Sequence, residues 1–360
     1  MDGIAVLAPR LKPATGKPRS RRDPQRDTKR DTTRDTNLDF VKGFLVVVMV
    51  LYHALNYFAV VPPEVYGYLR FVNGSFVFMA GFAVALFYDT GAPSPTLMRL
   101  VVRGLKLLVL FTVLNLTLAT LAVTNYRNVT FGLAAYVSQI ERIYGSGEAP
   151  QIAFRILVPI AYVLMLAGLF LVSKALQRLL VPLTFFAALL HNAWFNSVPP
   201  NVFFVLTGAV GLSLGLLARV LNLRPPMPTP NWPASIAKIA AFLALASMMN
   251  RLSSNVLAYS LGLGLMLAAV YSAARSLDPS SALYRATVLL GSYSLVAYVG
   301  QSGYLFLLQR ALRGQGLTPA AALAVAVLST CVFLWVGCQC LEALRQRSRW
   351  AENTYRMVFA

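Results

Sequence analysis

Read from residue 39 onward, the chain is a succession of long apolar runs separated by short polar breaks. The runs lie near 39–60, 71–88, 97–123, 152–173, 176–191, 201–221, 232–249, 254–274, 288–310 and 319–342. Most are long enough to cross a ~30 Å hydrocarbon layer as helices. The breaks carry helix-stopping residues: Val61-Pro62-Pro63, Gly91-Ala92-Pro93, Val198-Pro199-Pro200 and Pro225-Pro226-Met227-Pro228. The pattern predicts an all-α polytopic membrane protein of about ten transmembrane helices. Only helices and closed barrels satisfy their backbone within lipid, and runs of this length are helical. The longest break, about 124–151, predicts a short surface helix over Tyr136–Ile143.

Residues 1–38 break the pattern. They hold ten basic and five acidic residues, and Pro13, Pro18 and Pro24 interrupt them. An Arg-Asp-Thr triplet recurs at 26, 30 and 34 with period four. This composition buries no core and predicts a disordered basic cytoplasmic tail, with no cleaved signal peptide. The domain reading is therefore a tail over 1–38, a transmembrane domain over 39–345 and a second tail over 346–360.

Composition agrees. Hydrophobic residues make up 57% of the 360 and charged ones 12%, about half the share of a soluble domain. The net charge of +19 would suggest nucleic acid in a soluble chain. Here it reads as topology, because Lys and Arg collect in cytoplasmic loops, so no nucleic-acid partner is expected. A cytoplasmic start puts Arg99, Arg103, Lys106, Lys174, Arg178, Arg219 and Arg275 on that side with the tail arginines 345–356. Both termini are then cytoplasmic, in a plasma (inner) membrane. Cys331, Cys338 and Cys340 form neither a disulfide framework nor a metal spacing, and no metal is expected.

Beyond residue 38 the eight acids all fall at span ends or in loops. An ion-coupled carrier usually needs a carboxylate within a span, so their placement weighs against a transporter. Histidine is left as the side chain that titrates near neutral pH inside the bilayer. His191 ends the fifth run, where an interfacial polar residue needs no special role. His53 lies well inside the first. Eleven steps of ~100° from Lys42 bring it back to the same face, roughly 16 Å along the helix. Asp39 precedes Lys42 by three and can pair with it. Asn56 follows His53 by three. A polar line thus runs along one apolar helix, either for chemistry or for hydrogen-bonded packing.

These residues resemble a family. Arg34-x4-Asp39-x2-Lys42-Gly43-x9-His53 is similar to the opening of the membrane acyltransferase-3 family, with Lys42 in place of its usual Arg. Phe76-Val77-Phe78-Met79-Ala80-Gly81-Phe82 resembles a second segment, with Ala80 for Ser. Arg99-x3-Arg103 resembles a third. Ser294-x3-Tyr298-x2-Gln301 resembles a late signature in which Gln301 replaces His. The glucan-succinylating branch of the superfamily is close in character. The resemblance implies transfer of an acyl group, usually acetyl, from cytoplasmic acyl-CoA to a hydroxyl of a glycan or lipid-linked acceptor, with acetyl-CoA as co-substrate and no bound cofactor. It implies His53 as base or as acyl carrier. Lys42, Arg99 and Arg103 would face the CoA phosphates, and Asp39 and Asn56 would support them. Ser294, Tyr298 and Gln301, on one helical face, would meet the acceptor. The rival readings are a glycan or lipid transporter or flippase, and a sensor or assembly protein without catalysis.

Overall fold

The computed structural model describes residues 35–58, 68–69, 71–88, 93–120, 132–149, 152–194, 199–221, 232–252, 255–312 and 315–359. The expected tail over 1–34 lies outside them. The chain divides into Met1–Thr36 and Asn37–Ala360, and the second unit holds the architecture. Its regular elements, among the described residues, are all helical: α1 (Thr36–Phe58), α2 (Phe71–Phe87), α3 (Pro93–Thr120), α4 (Leu133–Ser138), α5 (Leu157–Phe170), α6 (Lys174–Trp194), α7 (Pro200–Val220), α8 (Trp232–Leu252), α9 (Val256–Ala274), α10 (Ala282–Ser292), α11 (Ser294–Leu312), α12 (Pro319–Arg347) and α13 (Arg349–Phe359).

This is an all-α membrane protein. Among the described residues each of the ten apolar runs is mostly helical, but they are not equivalent. α1, α7, α9 and α12 are each long and apolar enough to cross a membrane alone, and α10 with α11 makes a fifth candidate as a bent pair. α2 and α5 are apolar but shorter. α3 and α6 open with cations (Arg99, Arg103 and Lys106; Lys174 and Arg178), which dilute their apolar character.

Two expectations are corrected. The run 288–310 is not one straight span: α10 and α11 meet at Tyr293 with a 90° bend. The predicted helix over Tyr136–Ile143 is instead α4 followed by a π-helical turn over Arg142–Ser146. Tyr136 and Ile143 are each only 3% exposed. This segment folds inward because its hydroxyls find partners there. Tyr144 Oη lies 2.6 Å from Thr112 Oγ1 and 2.9 Å from Tyr136 Oη. Burial and the Tyr144 bond push the Tyr136 phenol above its usual range, so it stays neutral.

Small residues set the tight crossings. A side chain at Gly43 would run into the Thr287 carbonyl, and one at Gly291 into the Asp39 carbonyl, so α1 and α10 touch backbone to backbone. α2 and α7 run parallel along a second seam, in which Gly81 faces the Gly208 carbonyl, Gly211 that of Phe78 and Gly215 that of Phe82. Such seams hold apolar helices together where lipid removes the hydrophobic drive.

A polar clasp holds the bend. Tyr293 donates to Glu342, and Arg345 Nη1 donates to Tyr293 Oη at 2.6 Å. Arg345 also binds Glu352 at 2.7 Å and lies 4.1 Å over the Tyr355 ring, which ties α13 to α12. The Arg345 bond holds the Glu352 carboxyl below its usual range.

Gly291→Ala is expected to cost about 1–3 kcal/mol through overpacking against backbone, read as a lower thermal midpoint of the purified protein. Gly303→Ala, where nothing lies within 4 Å, is expected to leave it unchanged. Because the Glu352 pKa is depressed on folding, its contribution is full above the ordinary carboxylate range and is lost as pH falls through the depressed value. Hydrogen exchange over 349–359 should therefore quicken on acidification, and Glu352→Gln should already show that loosening at neutral pH.

Candidate active site

α1 carries the predicted polar line. Asp39 lies in its first turn, where the positive end of the helix favours a carboxylate. It is 5% exposed and pairs with Lys42 at 2.5 Å. His53 follows Val46, Met49 and Val50 by seven, four and three positions, and those three are at most 1% exposed. The imidazole is thus on the face of α1 turned toward the bundle. It is half-buried there. Its ring meets that of Tyr52 at 5.4 Å. Asn56 takes another path: its Nδ2 donates to the Tyr52 carbonyl at 2.9 Å, so the amide folds back on its own helix.

α11 packs against α1. Ala297, Gln301 and Leu305, spaced by four, are 0% exposed, and Tyr298 is 9% exposed. This stripe faces inward because Leu305 packs with Ala54 of α1 and Ala326 of α12. Ser294, Tyr298 and Gln301 do share it. Tyr298 comes within electrostatic reach of Tyr52, next to His53. Gln301 is the unusual member: neither its amide oxygen nor its nitrogen has a partner. Leaving such a group buried costs about 1–3 kcal/mol, so it is normally occupied by a ligand, a water or a neighbour.

Two residues that the sequence did not single out complete this neighbourhood. Phe154 meets the Tyr298 ring edge-on at 5.6 Å, and Arg155 is close enough to act on Tyr298 electrostatically. Both belong to the segment entering α5. Asn115 grips that segment through the Ala153 backbone, accepting from its N–H and donating to its carbonyl, each at 3.1 Å. Phe154 has φ 55°, a left-handed conformation rare for a bulky residue. That strained turn aims its ring at α11, and no periodicity announces it. An arginine ahead of an apolar run reads from sequence only as a flanking charge.

Arg99 and Arg103 belong to a different helix. Both are exposed on α3, and no described contact joins either to Lys42. Arg103 Nη1 reaches Tyr88 Oη at 3.4 Å, Arg219 reaches the Tyr88 carbonyl at 3.0 Å, and Lys106 reaches the Arg356 carbonyl at 3.2 Å. Arg103 and Arg219 thus meet at Tyr88, and Lys106 ties α3 to α13. His191, read from sequence as an interfacial residue without a special role, is buried, at 5% exposed. The three cysteines are free, with Cys338 buried and Cys340 exposed. Among the described residues no cluster of His, Cys, Asp and Glu could hold a metal ion.

Gln301→Met keeps the volume and removes both orphan atoms. It is expected to hold or raise stability by about 1 kcal/mol, measured as the thermal midpoint in detergent. A clear fall would mean that the amide is bonded within the folded bundle.

Residues 34–212, just under half of the chain, match the family model described as heparan-alpha-glucosaminide N-acetyltransferase, catalytic. The match begins at Arg34 and takes in Asp39, Lys42, Gly43, His53, Arg99 and Arg103, whereas Ser294, Tyr298 and Gln301 lie beyond it. No curated protein and no solved structure gave a match. It is therefore the acetyltransferase character of the resemblance, not the acyltransferase-3 family itself, that the match carries: a membrane acetyltransferase type of function.

Proposed function

We propose that the protein transfers an acetyl group from cytoplasmic acetyl-CoA to a hydroxyl of a glycan or lipid-linked acceptor, as a multi-pass protein of the plasma membrane. The observation that carries this reading is the placement of His53. It faces the bundle next to Tyr52, which lies within electrostatic reach of Tyr298, with the Asp39–Lys42 pair three turns away on the same helix, all of α1 lying within the matched region.

CoA docks its phosphates near Lys42, and the pantetheine arm lies along the inner face of α1 toward His53. A neutral imidazole accepts the acceptor's O–H proton as its oxygen attacks the thioester carbonyl carbon. The C–S bond breaks, and the CoA thiolate leaves and takes the proton from the imidazolium. The products are an acetyl ester and free CoA. The acceptor approaches from the other end of α1, past Arg155, where Tyr298 and the open amide of Gln301 offer it hydrogen bonds.

Arg99 and Arg103 stand on a different helix and serve this reading less directly. Their exposed column beside Arg356 suits long-range attraction of an anionic donor rather than a clamp on it. Asp39 holds the Lys42 ammonium in place. The description of the matched family favours a second reading, in which the acceptor atom is the nitrogen of an amino sugar. The same base serves there, taking a proton from the amine, and the product is an amide.

His53→Ala is expected to lower acetyl transfer about 10²–10⁴-fold while the protein still inserts and melts as the parent does. The measurement is incorporation of labelled acetyl from acetyl-CoA into glycan by the purified protein in vesicles. Base-labile ester product identifies a hydroxyl acceptor, and base-stable amide an amine. Full activity in His53→Ala, or glycan crossing the vesicle without modification, would overturn the proposal.

A further inference from the structure

The last two turns of α12 and the whole of α13 make a surface that acetyl transfer does not use. Ser348 alone separates the two helices. Its extended backbone stops α12, and its Oγ accepts from the Ala351 N–H to start α13. A helix joined so closely to a spanning helix stays at the membrane face.

At ~100° per residue, α13 has three sectors. One faces the protein: Tyr355 packs on the Tyr293 ring at 5.5 Å, and Glu352 is held by Arg345 and, at 2.5 Å, by Arg356. The next carries Arg349, Asn353 and Arg356, all exposed, within an arc of about 60°. The third carries Trp350, 77% exposed, and Met357, 65% exposed, one above the other. Leu344, 56% exposed, and Arg347 extend the apolar and cationic character onto the end of α12. The one acid of α13 is turned inward, so the outward charge is entirely positive.

We infer that α13 lies in the headgroup layer and binds anionic phospholipid, with Trp350 and Met357 among the upper acyl carbons and Arg347 and Arg349 on the phosphates. Exposed tryptophan and methionine beside arginines are unfavourable in water and suited to this layer, where an indole has one wet edge and arginine stems snorkel. The charge selects an anionic over a zwitterionic lipid. Because Arg345 holds both Glu352 of α13 and Tyr293 at the α10–α11 bend, the lipid-bound helix also buttresses the bend.

The test uses the full-length protein in detergent, titrated with brominated phosphatidylglycerol or brominated phosphatidylcholine. The Trp350 signal is taken as the difference between the parent and Trp350→Phe. Phosphatidylglycerol is expected to quench Trp350 at lower mole fraction than phosphatidylcholine. The double variant Arg347→Gln, Arg349→Gln removes two exposed guanidiniums that bond to nothing among the described residues, so it should fold as the parent does. It should weaken the phosphatidylglycerol response roughly 25-fold, at about fivefold per arginine. The inference is overturned if Trp350 is not quenched, if the two lipids act alike, or if the preference survives in the double variant. It is also overturned if millimolar inorganic phosphate displaces the lipid, which would mark a site for the free ion.

Discussion

Hydrocarbon offers no hydrogen bonds, and the rest of this structure follows from that constraint. Each polar group carried into the apolar bundle must find its partner there or remain unsatisfied. The bundle meets the demand at a few joints. Asp39 and Lys42 neutralise each other at the start of α1. Asn115 closes two bonds with the Ala153 backbone. Asn201 Nδ2 donates to the carbonyls of Ile143, Tyr144 and Gly145, stitching the inter-helix segment onto α7. The Tyr293–Glu342–Arg345 clasp closes the bend. Where this satisfaction is broken the structure is informative. Ser75, Ser213, Ser260 and Gln301 are fully buried with unpartnered polar atoms. Gln301 alone among them stands on the α11 stripe that carries Tyr298.

The same constraint links fold to chemistry. In the proposed reaction, a histidine on the inner face of α1 would work among groups already fixed in place, so little reorganisation would accompany charge development. The strained Phe154 turn adds to this. Asn115 anchors its backbone, and the turn delivers an aromatic ring and a guanidinium to the Tyr298 edge. The placement of the acids bears on the transporter alternative. Asp39 belongs to a helix end, and Glu342, near the end of α12, is engaged by Tyr293 and Gln346, so neither is available to an ion passing through a span.

The helices were legible because their signal is local. A run of apolar residues bounded by proline or glycine reports helix wherever it packs, though the run 288–310 is divided between two helices. The shared face of Lys42 and His53 was legible for the same reason, since helical geometry determines it whatever surrounds it. Other features were not. Asn56 has the spacing to accompany His53, but a backbone carbonyl one turn back competes successfully for its amide. The bend at Tyr293 depends on Glu342 and Arg345, about fifty residues away in sequence. Arg99 and Arg103 have the motif spacing of donor ligands, yet both are exposed on α3 and Arg103 turns to Tyr88.

By itself the amino-acid order therefore determined a helical membrane protein, a polar line on its first span and the residues that could do acyl chemistry. These are consequences of hydropathy and of a 3.6-residue period, which act within one segment. The tertiary structure decided which of those residues share a neighbourhood. It brought the α11 stripe that carries Tyr298 and Gln301 against α1, added Phe154 and Arg155 beside Tyr298, and joined Arg103 to Tyr88. Such choices rest on glycine contacts, strained turns and bonds between distant segments, whose energies exist only once the helices have packed.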